Sequence, residues 1–93
     1  MARQQRVQVL YTGRVQGVGF RYTTRQIAHG FEVAGFIKNL PDGRVELVVE
    51  GNEEELKRFL KEIGTGDLGP FIRNEVVVWA EPSGEFRDFS IRL

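Results

Sequence analysis

The chain has 93 residues, of which 41% are hydrophobic and 28% charged, with one histidine, no cysteine and a formal net charge of zero. A chain of this length buries roughly two-thirds of its unfolded surface, enough for one modest core and a single domain over residues 1–93. The absence of cysteine excludes disulfides, thiolate metal sites and thiol nucleophiles, and the lone His29 leaves no His-pair metal site.

Val7, Val9 and Tyr11 alternate with Gln8, Leu10 and Thr12, which predicts a first strand ending at Gly13. Phe20 to His29 reads as a helix with Phe20, Thr24, Ile27 and Ala28 on one side, stopped by a left-handed Gly30. Val33 to Leu40 is a second strand, and Pro41-Asp42-Gly43 a turn in which proline presets φ. Val45, Leu47 and Val49 then alternate with Arg44, Glu46, Val48 and Glu50 in a third strand.

The second helix carries the plainest signals. Asn52 is a good N-cap, and Glu53, Glu54 and Glu55 occupy the first turn, where the helix dipole favours carboxylates. Glu55 stands at a near capping-box spacing from Asn52. Leu56, Phe59, Leu60 and Ile63 form an i, i+3, i+4, i+7 stripe, with Gly64 as the expected stop. After a loop through Gly69-Pro70, Glu75 to Glu81 is a fourth strand, and Phe89, Ile91 and Leu93 alternate into a short fifth. The order βαββαβ plus a terminal strand predicts an α+β fold: a ferredoxin-like split βαβ sandwich, its mainly antiparallel sheet carrying both helices on one face.

Charge is uneven along the chain. Residues 1–44 hold seven Lys or Arg against two acids, whereas the rest hold six against eleven. An anion is therefore sought in the first half. No apolar run approaches the roughly 20 residues of a membrane span. The N-terminus leads into an alternating segment rather than a signal-peptide core, so a cytoplasmic protein is expected.

Between the first strand and first helix lies Gly13-Arg14-Val15-Gln16-Gly17-Val18-Gly19-Phe20-Arg21. It lacks the lysine of G-x-x-x-x-G-K-S/T, and the dinucleotide pattern G-x-G-x-x-G fails at its last glycine. Its glycines still allow a curled backbone whose N–H groups point inward, an anion nest at a helix N-terminus. Arg21 adds a guanidinium fork to the same place, although its charge is unfavourable beside the positive end of the dipole unless an anion lies between them. The competing reading is a flexible connection with an unrelated arginine.

In a split βαβ unit the first and second strands run parallel on either side of the third. Their C-terminal ends then lie at one sheet edge, roughly 10 Å apart. Asn39 ends the second strand there, across from the loop, where its amide could orient a water for in-line attack on a bound phosphoryl group. Asn39 is equally at home as an ordinary residue of the turn that follows.

These residues resemble the acylphosphatase family. Gly13 to Arg21 looks like its first signature in full, and Gly35-Phe36-Ile37-Lys38-Asn39-Leu40-Pro41-Asp42-Gly43-Arg44-Val45-Glu46 through Glu50-Gly51 is similar to its second. The ending Pro82-Ser83-Gly84-Glu85-Phe86 with Phe89-Ser90-Ile91-Arg92 also resembles it. The glycine-rich stretch from Gly64 to Arg73 departs from the family pattern. The resemblance implies that Arg21 and the backbone amides of Val15, Gln16, Gly17, Val18, Gly19 and Phe20 bind the phosphoryl group. It also implies that Asn39 positions the nucleophilic water. The expected substrate is a small acyl phosphate, with inorganic phosphate as product and competitive inhibitor.

A site of one arginine, amides and an Asn side chain has no covalent nucleophile or general acid, so positioning and electrostatics must do the work. Such a site suits a carboxylate leaving group, whose conjugate-acid pKa of about 4 lets it depart unprotonated. No metal and no cofactor are expected, and the chain is expected to be monomeric, with no nucleic-acid or membrane partner. His29 reads as a favourable charge at a helix C-terminus, Trp79 as core or sheet surface, and Glu53 to Glu55 as a solvated helix start. Two other classes share this topology: RNA-recognition modules, which need aromatics on the two central strands, and non-catalytic domains that bind acyl or carbamoyl phosphate.

Overall fold

The computed structural model describes residues 3–93. Strands β1 (Gln4–Gly13), β2 (Val33–Asn39), β3 (Val45–Asn52), β4 (Ile72–Ala80) and β5 (Phe89–Arg92) form one sheet in the order β4-β1-β3-β2-β5. Helices α1 (Phe20–Ala28) and α2 (Glu53–Thr65) and a 3-10 turn at Gly69–Phe71 complete the chain. Both β1 and β2 pair antiparallel with β3 and so run parallel to each other, while β5 adds in parallel beyond β2. This is the ferredoxin-like arrangement expected from the order of elements.

Period-two alternation explains the core. Val7, Val9 and Tyr11 on β1 face the same side as their partners Val49, Leu47 and Val45, and all six are buried. Leu56, Phe59 and Ile63 of α2, with Phe20 and Ala28 of α1, close over them in one cluster. The Asn52 side chain accepts the N–H of Glu54, which caps α2 as the sequence predicts.

Several local expectations give way to tertiary packing. Gly30 is not left-handed: α1 tightens instead, with Gly30 N–H donating to Ile27 O and Phe31 N–H to Ala28 O, so its last carbonyls are satisfied without a positive φ. Gly64 does not stop α2, which runs to Thr65, and the Gly66 N–H continues the ladder by donating to Glu62 O. Glu55 does not close a capping box, because its carboxylate accepts from Glu32 N–H and pairs with Arg58. The loop at Gly69-Pro70 is a 3-10 turn below the buried Leu68, and β4 begins at Ile72, three residues before the expected Glu75.

The outer face of β3 also differs from an open polar surface. Val48 and Glu50 are buried there, as is Phe36, the partner of Val48 on β2. The segment between β4 and β5 lies over them: Phe86 packs edge-on against Phe36, and Glu50 accepts from Ser83 N–H, Ser83 Oγ and Gly84 N–H. Burial alone would raise the Glu50 carboxyl, but these donors and Arg6 outweigh it and hold it below the usual carboxylate range. Its stabilisation is therefore complete above the ordinary Glu pKa and is lost as the pH falls through the lower folded value. Glu50→Gln is expected to cost about 1–3 kcal/mol of stability near neutrality. It should cost less at a pH acid enough to protonate Glu50 in the native chain, below its lowered folded value. Thermal melts at the two pH values check both points.

Candidate active site

The β-sheet register brings the sequence-predicted residues to one place. Val45 on β3 lies between Tyr11 on β1 and Asn39 on β2, so Asn39 projects from the helix side of the sheet at the C-terminal end of its strand. The loop after β1 rises on the same side and enters α1 at Phe20. A pocket of about 190 Å³ opens between them, lined by Val15, Gly17, Gly19, Phe20, Arg21, Tyr22, Asn39 and Ile91.

The loop has a conformation that only glycine adopts easily. Gly17 and Gly19 stand at φ 79° and 77°, and Gly19 is the N-cap of α1, with no side-chain cap. The first turn of α1 contains no acidic residue. Its N–H groups and the positive end of the helix dipole therefore face the pocket without a protein anion to neutralise them. Val15 and Phe20 are buried and anchor the loop from below, Phe20 stacking at 5.2 Å against Tyr11. Buried beside Glu75, the Tyr11 hydroxyl is pushed well above its ordinary pKa and stays protonated.

Of the remaining loop residues, Gln16 and Val18 turn away from the pocket. Val18 packs against the core. Gln16 Nε2 donates at 2.9 Å to both Leu40 O and Arg44 O, strapping the loop to the β2–β3 hairpin whose first strand ends at Asn39. On the other flank the Arg14 N–H donates to Phe71 O, so the loop is seated against the Gly64–Arg73 stretch.

Arg21 is half-buried, and its Nη1 donates at 3.4 Å to Arg92 O, a long bond that leaves most of the guanidinium donors uncommitted among the described residues. The Asn39 Oδ1 is buried with no hydrogen-bond partner among the described residues. An orphaned acceptor of this kind costs about 1–3 kcal/mol and leaves Asn39 able to accept from a ligand or a water in the pocket. Three contributors escaped sequence reasoning: Tyr22, Ile91 and the Gln16 strap. Tyr22 adjoins Arg21 and could have been suspected, whereas Ile91 arrives through the parallel β5–β2 pairing, which has no local signal.

Comparison with known proteins bears on the family and the fold. The family model described as Acylphosphatase matches residues 7–91. The chain is 40% identical over 87 residues to an acylphosphatase of Trichormus variabilis, covering 94% of this chain and 85% of that protein. The crystal structure of acylphosphatase from Bacillus subtilis superposes with a TM-score of 0.86 at 35% identity, over 96% of this chain and 99% of that one. Full-length HypF in its phosphate- and nucleotide-bound form contains a similar region, with a TM-score of 0.83 at 28% identity, covering 99% of this chain and 12% of that one.

Proposed function

This chain belongs to the acylphosphatase family, and from that premise we propose how it hydrolyses acyl phosphates. The phosphoryl oxygens accept hydrogen bonds from the loop amides between Val15 and Phe20 and from the Arg21 guanidinium. The Asn39 amide holds a water on the opposite side of phosphorus from the leaving carboxylate. The water oxygen forms the new P–O bond as the carboxyl–phosphate bond breaks, and the carboxylate leaves with the electron pair of the broken bond, unprotonated. The water's proton passes to a phosphoryl oxygen, so no protein base is needed. One observation carries this reading: Arg21, Asn39, Gly17 and Gly19 line the same pocket although they come from three separate elements and loops.

The donors assigned to the reaction are a guanidinium and amides, none of which needs a metal ion. Among the described residues no group of three His, Cys, Asp or Glu side chains is arranged to hold one. Metal-independent turnover is part of the proposal. Steady-state hydrolysis of acetyl phosphate tests it, with and without a strong chelator and beside a simple alkyl phosphate ester. The acyl phosphate is expected to turn over at an unchanged rate in chelator, inorganic phosphate to raise KM without lowering kcat, and the ester to react negligibly. An activity loss in chelator that divalent metal restores would overturn the metal-free mechanism. Comparable rates on the alkyl ester would reveal an acid that protonates the leaving oxygen.

A further inference from the structure

The amide arc assigned to the phosphoryl group has few bonds of its own. Among the described residues, no N–H from Val15 to Gly19 donates to another backbone group. The two ends of the arc are nonetheless fixed. At one end the Arg14 N–H donates to Phe71 O, and at the other Gly19 O accepts from Thr23 N–H as α1 begins. Val15 and Phe20 are buried. Between these anchors the apex Gln16-Gly17 has one polar attachment among the described residues, the side chain of Gln16.

Gln16 stands between Val15 and Gly17, which both line the pocket, while its own side chain turns out to the β2–β3 hairpin. Nε2 commits both of its hydrogens there, each at 2.9 Å, to Leu40 O and Arg44 O. Leu40 follows Asn39, and Arg44 precedes Val45, the cross-strand partner of Asn39. One carboxamide thus grips the chain on both strands next to Asn39. The hairpin does not need this contact to stay closed. Leu40 O also accepts from Gly43 N–H, and Arg44 O from Leu40 N–H, while the Asp42 carboxylate accepts from the Arg44 N–H and Nε. Both carbonyls keep a partner when Gln16 is replaced, so neither is orphaned. What Gln16 adds is a fixed separation between two bodies that are each held by other bonds.

Resting on the reading that Asn39 holds the attacking water, we propose that Gln16 is a positioning residue for that attack. Its side chain sets the distance and angle between the amide arc and Asn39, and with them the approach of the water to phosphorus. In-line attack is sensitive to this separation, since a misplacement of about 1 Å can cost roughly 10²-fold in rate. The Gln16 side chain touches neither phosphoryl group nor water and acts through Asn39. Its backbone N–H is a separate matter, because a substitution at this position leaves that donor in the cradle.

Gln16→Met keeps the length of the side chain and removes both donors. Hydrolysis of acetyl phosphate is expected to lose about tenfold to 100-fold in kcat. Calorimetric affinity for inorganic phosphate should stay within about threefold of the native value, because Arg21 and the two anchored ends of the arc remain. The double variant Gln16→Met/Asn39→Ala supplies a readout that a merely structural role would not move. Once the Asn39 amide is gone its placement no longer matters, so adding Gln16→Met to Asn39→Ala should lower kcat by less than about threefold. Circular dichroism verifies that each variant is folded. Should Gln16→Met fail to fold, Gln16→Asn, which keeps the amide but falls one methylene short of the carbonyls, is expected to give the same pattern. Losses that multiply in the double variant overturn the proposal. So does a kcat within about twofold of native in the single Gln16 variant, and so does a loss confined to phosphate affinity. These outcomes leave the role of Asn39 standing. Near-native kcat in Asn39→Ala alone overturns that role, and the proposal with it.

Discussion

Asn39→Ala is expected to bind inorganic phosphate nearly as tightly as the unmodified chain while losing turnover by roughly 10²–10³-fold, the scale of one lost preorganised polar group. The separation follows from the proposed roles. Phosphate is held by the loop amides and Arg21, whereas the Asn39 amide matters as the water approaches phosphorus. The Asn39 Oδ1 makes no hydrogen bond to the described residues. Truncation therefore removes no existing partner for that oxygen, and the fold should survive. Calorimetric titration with phosphate, set beside kcat for acetyl phosphate, reads both quantities. Near-normal kcat in Asn39→Ala would make Asn39 a turn residue and move the positioning of water to another group. A parallel loss of phosphate affinity would make it part of the anion cradle instead.

Arg21→Lys is expected to fail on both measures. The charge is retained, but the planar fork that can bridge two phosphoryl oxygens is lost, and a lysine ammonium presents a single point of attachment. Phosphoryl charge is present before and during the reaction, so weaker phosphate binding should accompany a rate loss on the order of 10²–10³-fold. The Arg21 bond to Arg92 O is long and exposed, so its removal should cost little stability. Phosphate binding as tight as in the unmodified chain would mean that the loop amides alone hold the anion. The two substitutions together therefore distinguish anchoring from activation within one small pocket.

The candidate site was legible largely because its parts are local. A glycine-rich loop entering a helix declares itself through φ requirements and the unsatisfied N–H groups of a first turn, both of which are properties of adjacent residues. Asn39 could be assigned an edge and a face because side chains alternate strictly along β2. Other features depend on partners distant in sequence. The Gln16 strap spans 24 and 28 residues, the Arg21 contact spans 71, and Ile91 reaches the pocket through a strand that pairs beyond β2.

By itself the sequence determined the elements with a strong internal period, the cap at Asn52, the loop and the sharing of one sheet edge by the loop and Asn39. Those follow from backbone geometry and from burial of one face, which residues within a few positions of each other decide. Only the tertiary structure decided how α1 and α2 end: Gly30 follows α1 without a positive φ, its N–H donating to Ile27 O, and Gly64 lies inside α2, which runs on to Thr65. It alone decided that the outer face of β3 is roofed by Ser83, Gly84 and Phe86, and that the apolar strand β4 is left at the open edge. Alternation states that a residue faces one side of a strand. Whether that side meets a helix, a returning segment or solvent depends on which strands become neighbours, and that is settled by long-range pairing with no local signature.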